Sequence, residues 1–148
     1  KTLKITDKTI GLILSAAPAA QLISSFAWTS LQTSPSVGRL ACLIMGLILL
    51  SVGSVFFAFS HSVGTFLFSR ALMGVGLQGA DTAGAALLMQ SSTHLQRDMG
   101  HLELVLGIGF MVGPALGGLL YDRFNFQIAA AAGGVLPLTL AMLATCVL

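Results

Sequence analysis

A chain of 148 residues with 55% apolar and only 8% charged side chains, at a mean hydropathy of +0.93, lacks the charged surface that a water-soluble domain needs. Its net charge of +2 is scattered, with no basic run and no interleaved aromatics, which excludes a phosphate-neutralising nucleic-acid binder. The solvent for most of this sequence is lipid, and the expectation is an all-α, polytopic membrane helix bundle.

Five apolar stretches of bilayer-spanning length follow one another along the chain. The segment Lys1 to Lys8 is polar and lacks the pattern of a secretory signal. The first span runs from about Ile10 to Leu31 and contains Pro18, which removes a backbone donor and predicts a bend. Turn formers with a single cation occupy Gln32 to Arg39, and the second span runs from about Leu40 to Phe59. The six residues Ser60 to Thr65 then force an antiparallel neighbour, the third span, from Phe66 to about Gln90.

That third span is the most polar of the five, with Arg70, Gln78 and Asp81 among Gly74, Gly76, Gly79 and Gly84, so lipid cannot surround it. A hydrophilic connection from Ser91 to His101 leads to the fourth span, Leu102 to Tyr121, and Asp122 to Asn125 separates it from the fifth, Phe126 to Leu148. Alternating the spans puts Lys1, Lys4, Lys8 and Arg123 on one side and Arg39 and Arg97 on the other. The positive-inside rule then tilts the N-terminal side towards the cytoplasm. The chain begins without Met and stops inside an apolar run, which makes a fragment of a longer protein the economical reading.

Charges within spans are the first candidates for function, because an intramembrane ion costs several kcal/mol unless it meets protein, water or a counter-ion. Arg70 and Asp81 are eleven residues apart, which returns them to nearly one helix face about 16 Å apart, with Gly74 and Gln78 near that face. Arg70 has two readings: a long stem that snorkels to the interface, or a cation that tunes a nearby acid. Asp81 lies deeper on a short side chain, and a desolvated carboxylate there holds either a proton or an organic cation. Glu103 opens its span, where the helix dipole favours an acid, but it also shares a face with Gly107 and Pro114 and so lines a vestibule on the second reading.

Cys42 and Cys146 sit in apolar stretches without metal-spaced neighbours and read as small buried hydrophobes. His61, His94 and His101 lie in or near loops, with no partner at metal or triad spacing, and read as solvated. No paired catalytic groups appear, so an enzyme is not expected, and neither is a cofactor or metal.

In the fourth span, Gly109, Gly113 and Gly117 recur every fourth residue, making one stripe on which another helix backbone can approach. Joined to Pro114 and Gly118 they give Gly-x-x-x-Gly-Pro-x-x-Gly-Gly, which resembles the antiporter signature on the fifth helix of the drug and amine proton antiporters of the major facilitator superfamily. In that register the third span is the superfamily's fourth helix, whose Arg and glycine-rich pattern matches Arg70 with Gly74 and Gly76, Met73 standing where Gln is commoner. The loop between the first two spans keeps only Gly38-Arg39 of the expected Gly-x-x-x-Asp-Arg-x-Gly-Arg, with Thr33 or Pro35 in place of the acid, so the latch that motif forms is degraded. Leu102 to Gly109, with Glu103 ahead of the glycines, is similar to the vesicular amine transporters, particularly the polyamine branch.

The resemblance implies helices two to six of a twelve-helix fold, without the second half. It implies a proton-coupled secondary antiporter for organic cations such as amines, polyamines or drugs, in a vesicle or plasma membrane. Its partners would be the bilayer, a small organic cation, the proton and the remaining helices of the parent transporter. The implied substrate and proton residues are Asp81, Glu103, Arg70 and Gln78. The conformational residues are Gly109, Gly113, Pro114, Gly117, Gly118, Gly74, Gly76, Gly38 and Arg39. The competing expectation is a truncated or decayed five-helix subunit with a structural or regulatory role and no transport of its own.

Overall fold

The computed structural model describes residues 7–34, 37–124 and 126–147, and they form five helices. These are α1 (Asp7–Thr33), α2 (Arg39–Ala58), α3 (Val63–Ser91), α4 (Leu95–Arg123) and α5 (Phe126–Val147). Lys1 and Lys4, used in the orientation count, Pro35 of the degraded loop motif and the Cys146 side chain lie outside the described residues.

Four helices, α1, α2, α4 and α5, are long and apolar enough to cross a membrane by length and composition. The fifth, α3, does not meet that apolarity. Its 29 residues extend about 43 Å, more than the bilayer's hydrocarbon thickness, and it lies against both α1 and α2. Neighbours in space are not neighbours in sequence: the row runs α1, α3, α2, α5, while α4 touches only the flank of α5 and α3. The most polar span thus lies between two others, as its composition suggests.

Glycine makes that enclosure possible. A Cβ on Gly46 of α2 would stand 2.5 Å from the Ala80 nitrogen and 2.8 Å from the Gly76 oxygen of α3, so the two backbones touch where both residues lack side chains. Gly74 presses on the Ala17 backbone of α1, and Gly53 meets Met73. Gly79 receives the ring of Trp28, which is only 4% exposed, and the indole Nε1 donates to the Val75 carbonyl at 2.9 Å. Gln32 Nε2 donates to Thr82 Oγ1 at 2.8 Å, adding a polar tie between α1 and α3.

Two of the buried hydroxyls donate to carbonyls of their own helices. Ser69, fully buried, donates to the Phe66 carbonyl at 3.0 Å, and Ser51 donates to Leu47 at 3.0 Å. Cys42 is fully buried among Trp28 and Ala83, matching its reading as a small hydrophobe.

Helix starts follow local chemistry. Ser62 caps α3 by accepting from the Thr65 amide at 3.3 Å while Thr65 Oγ1 accepts from the Ser62 amide at 3.1 Å, so α3 begins three residues before the expected Phe66. The larger correction is at α4, which begins at Leu95 rather than Leu102. The hydrophilic Ser91–His101 stretch holds almost two helical turns, because hydropathy marks where the membrane ends, not where the helix does. Its entry is tied by Ser92 Oγ, which donates to Asp98 Oδ2 at 2.6 Å and accepts from the His94 amide at 3.1 Å.

Candidate functional site

The sequence-predicted charges of α3 open onto two different cavities. The first, about 520 Å³, lies between α2, α3, α4 and α5 and is lined by Ser54, Phe57, Arg70, Met73, Gly113 and the small residues of α5 around Ala129. The second, about 280 Å³, lies between α3 and α4 and is lined by Ala80, Asp81, Gly84, Ala85, Leu102 and Leu106. Among the described residues the two charges of α3 thus line different cavities. The eleven-residue spacing aligns them only approximately, and different neighbouring helices meet α3 at the two depths.

Arg70 sits seven residues beyond the first residue of α3, about 10 Å along the axis. Its guanidinium carbon lies 4.8 Å from the centroid of the Phe57 ring, and its Nε has neither a hydrogen-bond partner nor measurable exposure. This is not the geometry of a side chain lifted free to the interface. Phe57 in turn meets Phe66 at 5.2 Å and Phe126 at 5.4 Å, an aromatic knot joining α2, α3 and α5 one turn from Arg70.

Asp81 is exposed along its cavity wall, and among the described residues that wall contains no basic side chain. Gln78 is half-buried and lines neither cavity; its carbonyl accepts from Thr82 Oγ1 at 2.8 Å, which places it behind the Gln32–Thr82 tie. Glu103 is exposed on α4 and is not among the residues lining either cavity, although Leu102 and Leu106 line the one at Asp81. One residue is about 100° of helix, enough to turn the acid out of the wall that its neighbour forms. The vestibule reading of Glu103 therefore finds no cavity among the described residues.

The glycine stripe of α4 makes no close approach among the described residues. A Cβ on Gly107, Gly109, Gly113, Gly117 or Gly118 would meet nothing within 4 Å, and α4 has no buried residue among those described. Within this chain the close approaches are made instead by Gly74 and Gly76 on α3. Both were expected from the motif to be conformational, and here they are seats for α1 and α2. Gly113 does line the Arg70 cavity, next to Pro114, through which α4 continues. Gly38 is the extended residue ahead of α2, and Arg39 is the first residue of that helix, half-buried.

His61, His94 and His101 are exposed. Sequence reasoning missed Phe57, Trp28, Gln32 and Thr82. Their only sequence signal was being large or polar residues within apolar stretches, and which of them face α3 depends on helix rotation.

Long helices with lipid-exposed apolar faces and ionisable groups turned into internal cavities define an integral, multi-pass membrane protein. The chain belongs to the Major Facilitator Superfamily, whose family model matches residues 1–148. It is similar to the quinolone resistance protein NorA of Staphylococcus aureus, 28% identical over 139 residues, covering 90% of this chain and 35% of that protein. It is also similar to multidrug resistance protein 2 of Bacillus subtilis, 31% identical over 130 residues, covering 80% of this chain and 32% of that protein. The chain thus spans about a third of the length of the curated relatives it matches.

Proposed function

We propose that these five helices are part of a secondary antiporter that exchanges protons for organic cations such as drugs, amines or polyamines. The observation that carries the reading is Asp81: a carboxylate on the helix between α1 and α2, opening onto a cavity whose walls, among the described residues, hold no basic group. Such a carboxylate meets its charge requirement with a proton or with an organic cation, and the two exclude each other. The two relatives named for drug resistance support a drug or amine as the cargo. Arg70, in its separate cavity, is the second charged element of the transport path, and Gln78 supports α3 from behind. Glu103 remains a candidate acid, and its pattern with Gly107 and Gly109 supports the likeness to the amine-transporting branch. The glycines of α4, where an added Cβ would meet nothing within 4 Å among the described residues, and Pro114 supply the face on which α4 slides or rocks during alternating access.

The test uses the full-length protein containing this chain, reconstituted into liposomes with an imposed proton gradient and ethidium as the transported cation. Asp81→Asn and Glu103→Gln are each expected to abolish gradient-driven accumulation while reconstitution remains normal. Accumulation at the wild-type rate in both variants would overturn the proton-for-cation role of these acids.

A further inference from the structure

We propose that the outer groove between α2 and α5 is a binding site for one hydrocarbon chain of a membrane lipid. The inference is independent of the transport reading and of the ionisable residues of α3.

Two cavities that meet at Leu138 make the groove. One, about 330 Å³, follows α2 from Ser51 to Phe59, and the other, about 110 Å³, lies between Ile44 of α2 and Thr145 of α5. The α2 residues that line them, from Ile44 to Phe59, recur with helical periodicity and so occupy one face of that helix. That face extends about 22 Å along the axis, more than the roughly 15 Å that one leaflet contributes to a hydrocarbon core. A lipid chain lying parallel to α2 therefore fits along its whole length.

The lining asks for nothing polar. Among the described residues no charged side chain lines either cavity, and both hydroxyls on the walls already donate within their own helices. Ser51 Oγ donates to the Leu47 carbonyl at 3.0 Å, and Thr145 Oγ1 donates to the Met142 carbonyl at 2.7 Å. The groove is also continuous with the apolar exterior that a multi-pass membrane protein presents to lipid: Met45 and Val135, beside it on the two helices, are exposed.

Its cross-section suits a chain and not another helix. The floor is made of small residues, Ser51 at 5% and Ala141 at 3% exposure, while the lips are the bulky, exposed Val55, Phe56, Phe59 and Met142. Where α2 receives a helix, on its other side, Gly46 and Gly53 let the backbones meet. A helix about 10–12 Å across would ride on the lips of the groove without reaching its floor. A file of methylenes touches floor and lips together. Lipid tails are as apolar as the walls, so the gain comes from dispersion contacts on three sides and not from leaving water.

The test uses the full-length protein containing this chain, in nanodiscs of palmitoyl-oleoyl-phosphatidylcholine with a small fraction carrying a photoactivatable diazirine in one acyl chain. After irradiation, adducts are mapped by mass spectrometry of the digested protein. Label is expected severalfold more on Val52, Val55 and Met142 than on Leu136 and Leu140, which are also exposed but on the opposite side of α5. Leu138→Trp fills the waist of the groove and should remove its label while leaving that on Leu136 and Leu140 unchanged. Phe56→Ala removes only an exposed lip and should lower the label on Val52 and Val55 while keeping that on Met142. After detergent extraction, native mass spectrometry should find a single phosphatidylcholine retained by the unaltered protein and lost from Leu138→Trp.

Equal label on the groove and on Leu136 and Leu140 overturns the proposal, since the lipid there is then ordinary solvent. So does a groove without label, the result expected if a helix from the rest of the protein or a second copy covers it. Label in the groove that persists in both variants overturns it as well.

Discussion

Replacing Gly46 by Ala tests whether the α2–α3 contact sets the stability of the bundle. The added Cβ would stand 2.5 Å from the Ala80 nitrogen, 2.8 Å from the Gly76 oxygen and 2.9 Å from the Gly79 carbonyl carbon, all backbone atoms that no rotamer change can move. Ordinary contact begins near 3.4 Å, so the two helices must part by about 0.9 Å at this point. A gap of that size forfeits between about a quarter and a half of the dispersion energy of each contacting pair. Overpacking of this kind costs about 1–3 kcal/mol, against which the better helix propensity of Ala returns at most about 1 kcal/mol. The control is Gly84→Ala on α3, where a Cβ meets nothing within 4 Å. In the full-length protein in detergent, the midpoint for retention of monodisperse protein after heating should fall by a few degrees for Gly46→Ala and stay or rise for Gly84→Ala. Equal midpoints would refute the close-approach account of this interface.

Trp28→Phe keeps most of the ring against Gly79 but loses the bond to the Val75 carbonyl, and should cost about 1 kcal/mol in the same heating assay. Ser62→Ala removes the cap of α3 and should cost about 1 kcal/mol, visible as faster amide hydrogen exchange over the first turn from Val63. Gly113→Leu fills part of the Arg70 cavity, and its Cβ meets nothing within 4 Å, so it should lower ethidium accumulation strongly while the thermal midpoint changes little. A matching loss of stability would mean that the glycine serves packing.

The sequence displayed the number of helices and the enclosure of α3 because both follow from composition: lipid-length apolar runs, and polar residues that lipid would not accept. It placed α2 at 40–59 against an observed Arg39–Ala58, since Gly38 and the apolar run mark that helix on both sides. It misplaced the start of α4 because Leu95 to His101 is polar yet helical. The site was legible residue by residue but not as an arrangement. Arg70 and Asp81 stood out as intramembrane charges, yet their assignment to separate cavities depends on which helices flank α3 at each depth. Phe57 could not be foreseen as the cover of Arg70, because thirteen residues and a turn separate them. The glycine stripe of α4 was the most conspicuous motif, but its face meets no helix within these residues, whereas the less regular glycines of α2 and α3 make the tight contacts.

The spatial order α1, α3, α2, α5 has a consequence for biogenesis. The slot between α1 and α2 belongs to a helix synthesised after both, so any contact the two make before it arrives must give way in the finished bundle. The late arrival is also the one span that does not qualify for the membrane by its own apolarity. It has to enter as the second arm of a hairpin with α2, closed at Ser60 to Ser62, its polar face screened before the lipid meets it. The glycines that let α3 fit between its neighbours thus also give a poorly lipophilic segment its place in the bilayer.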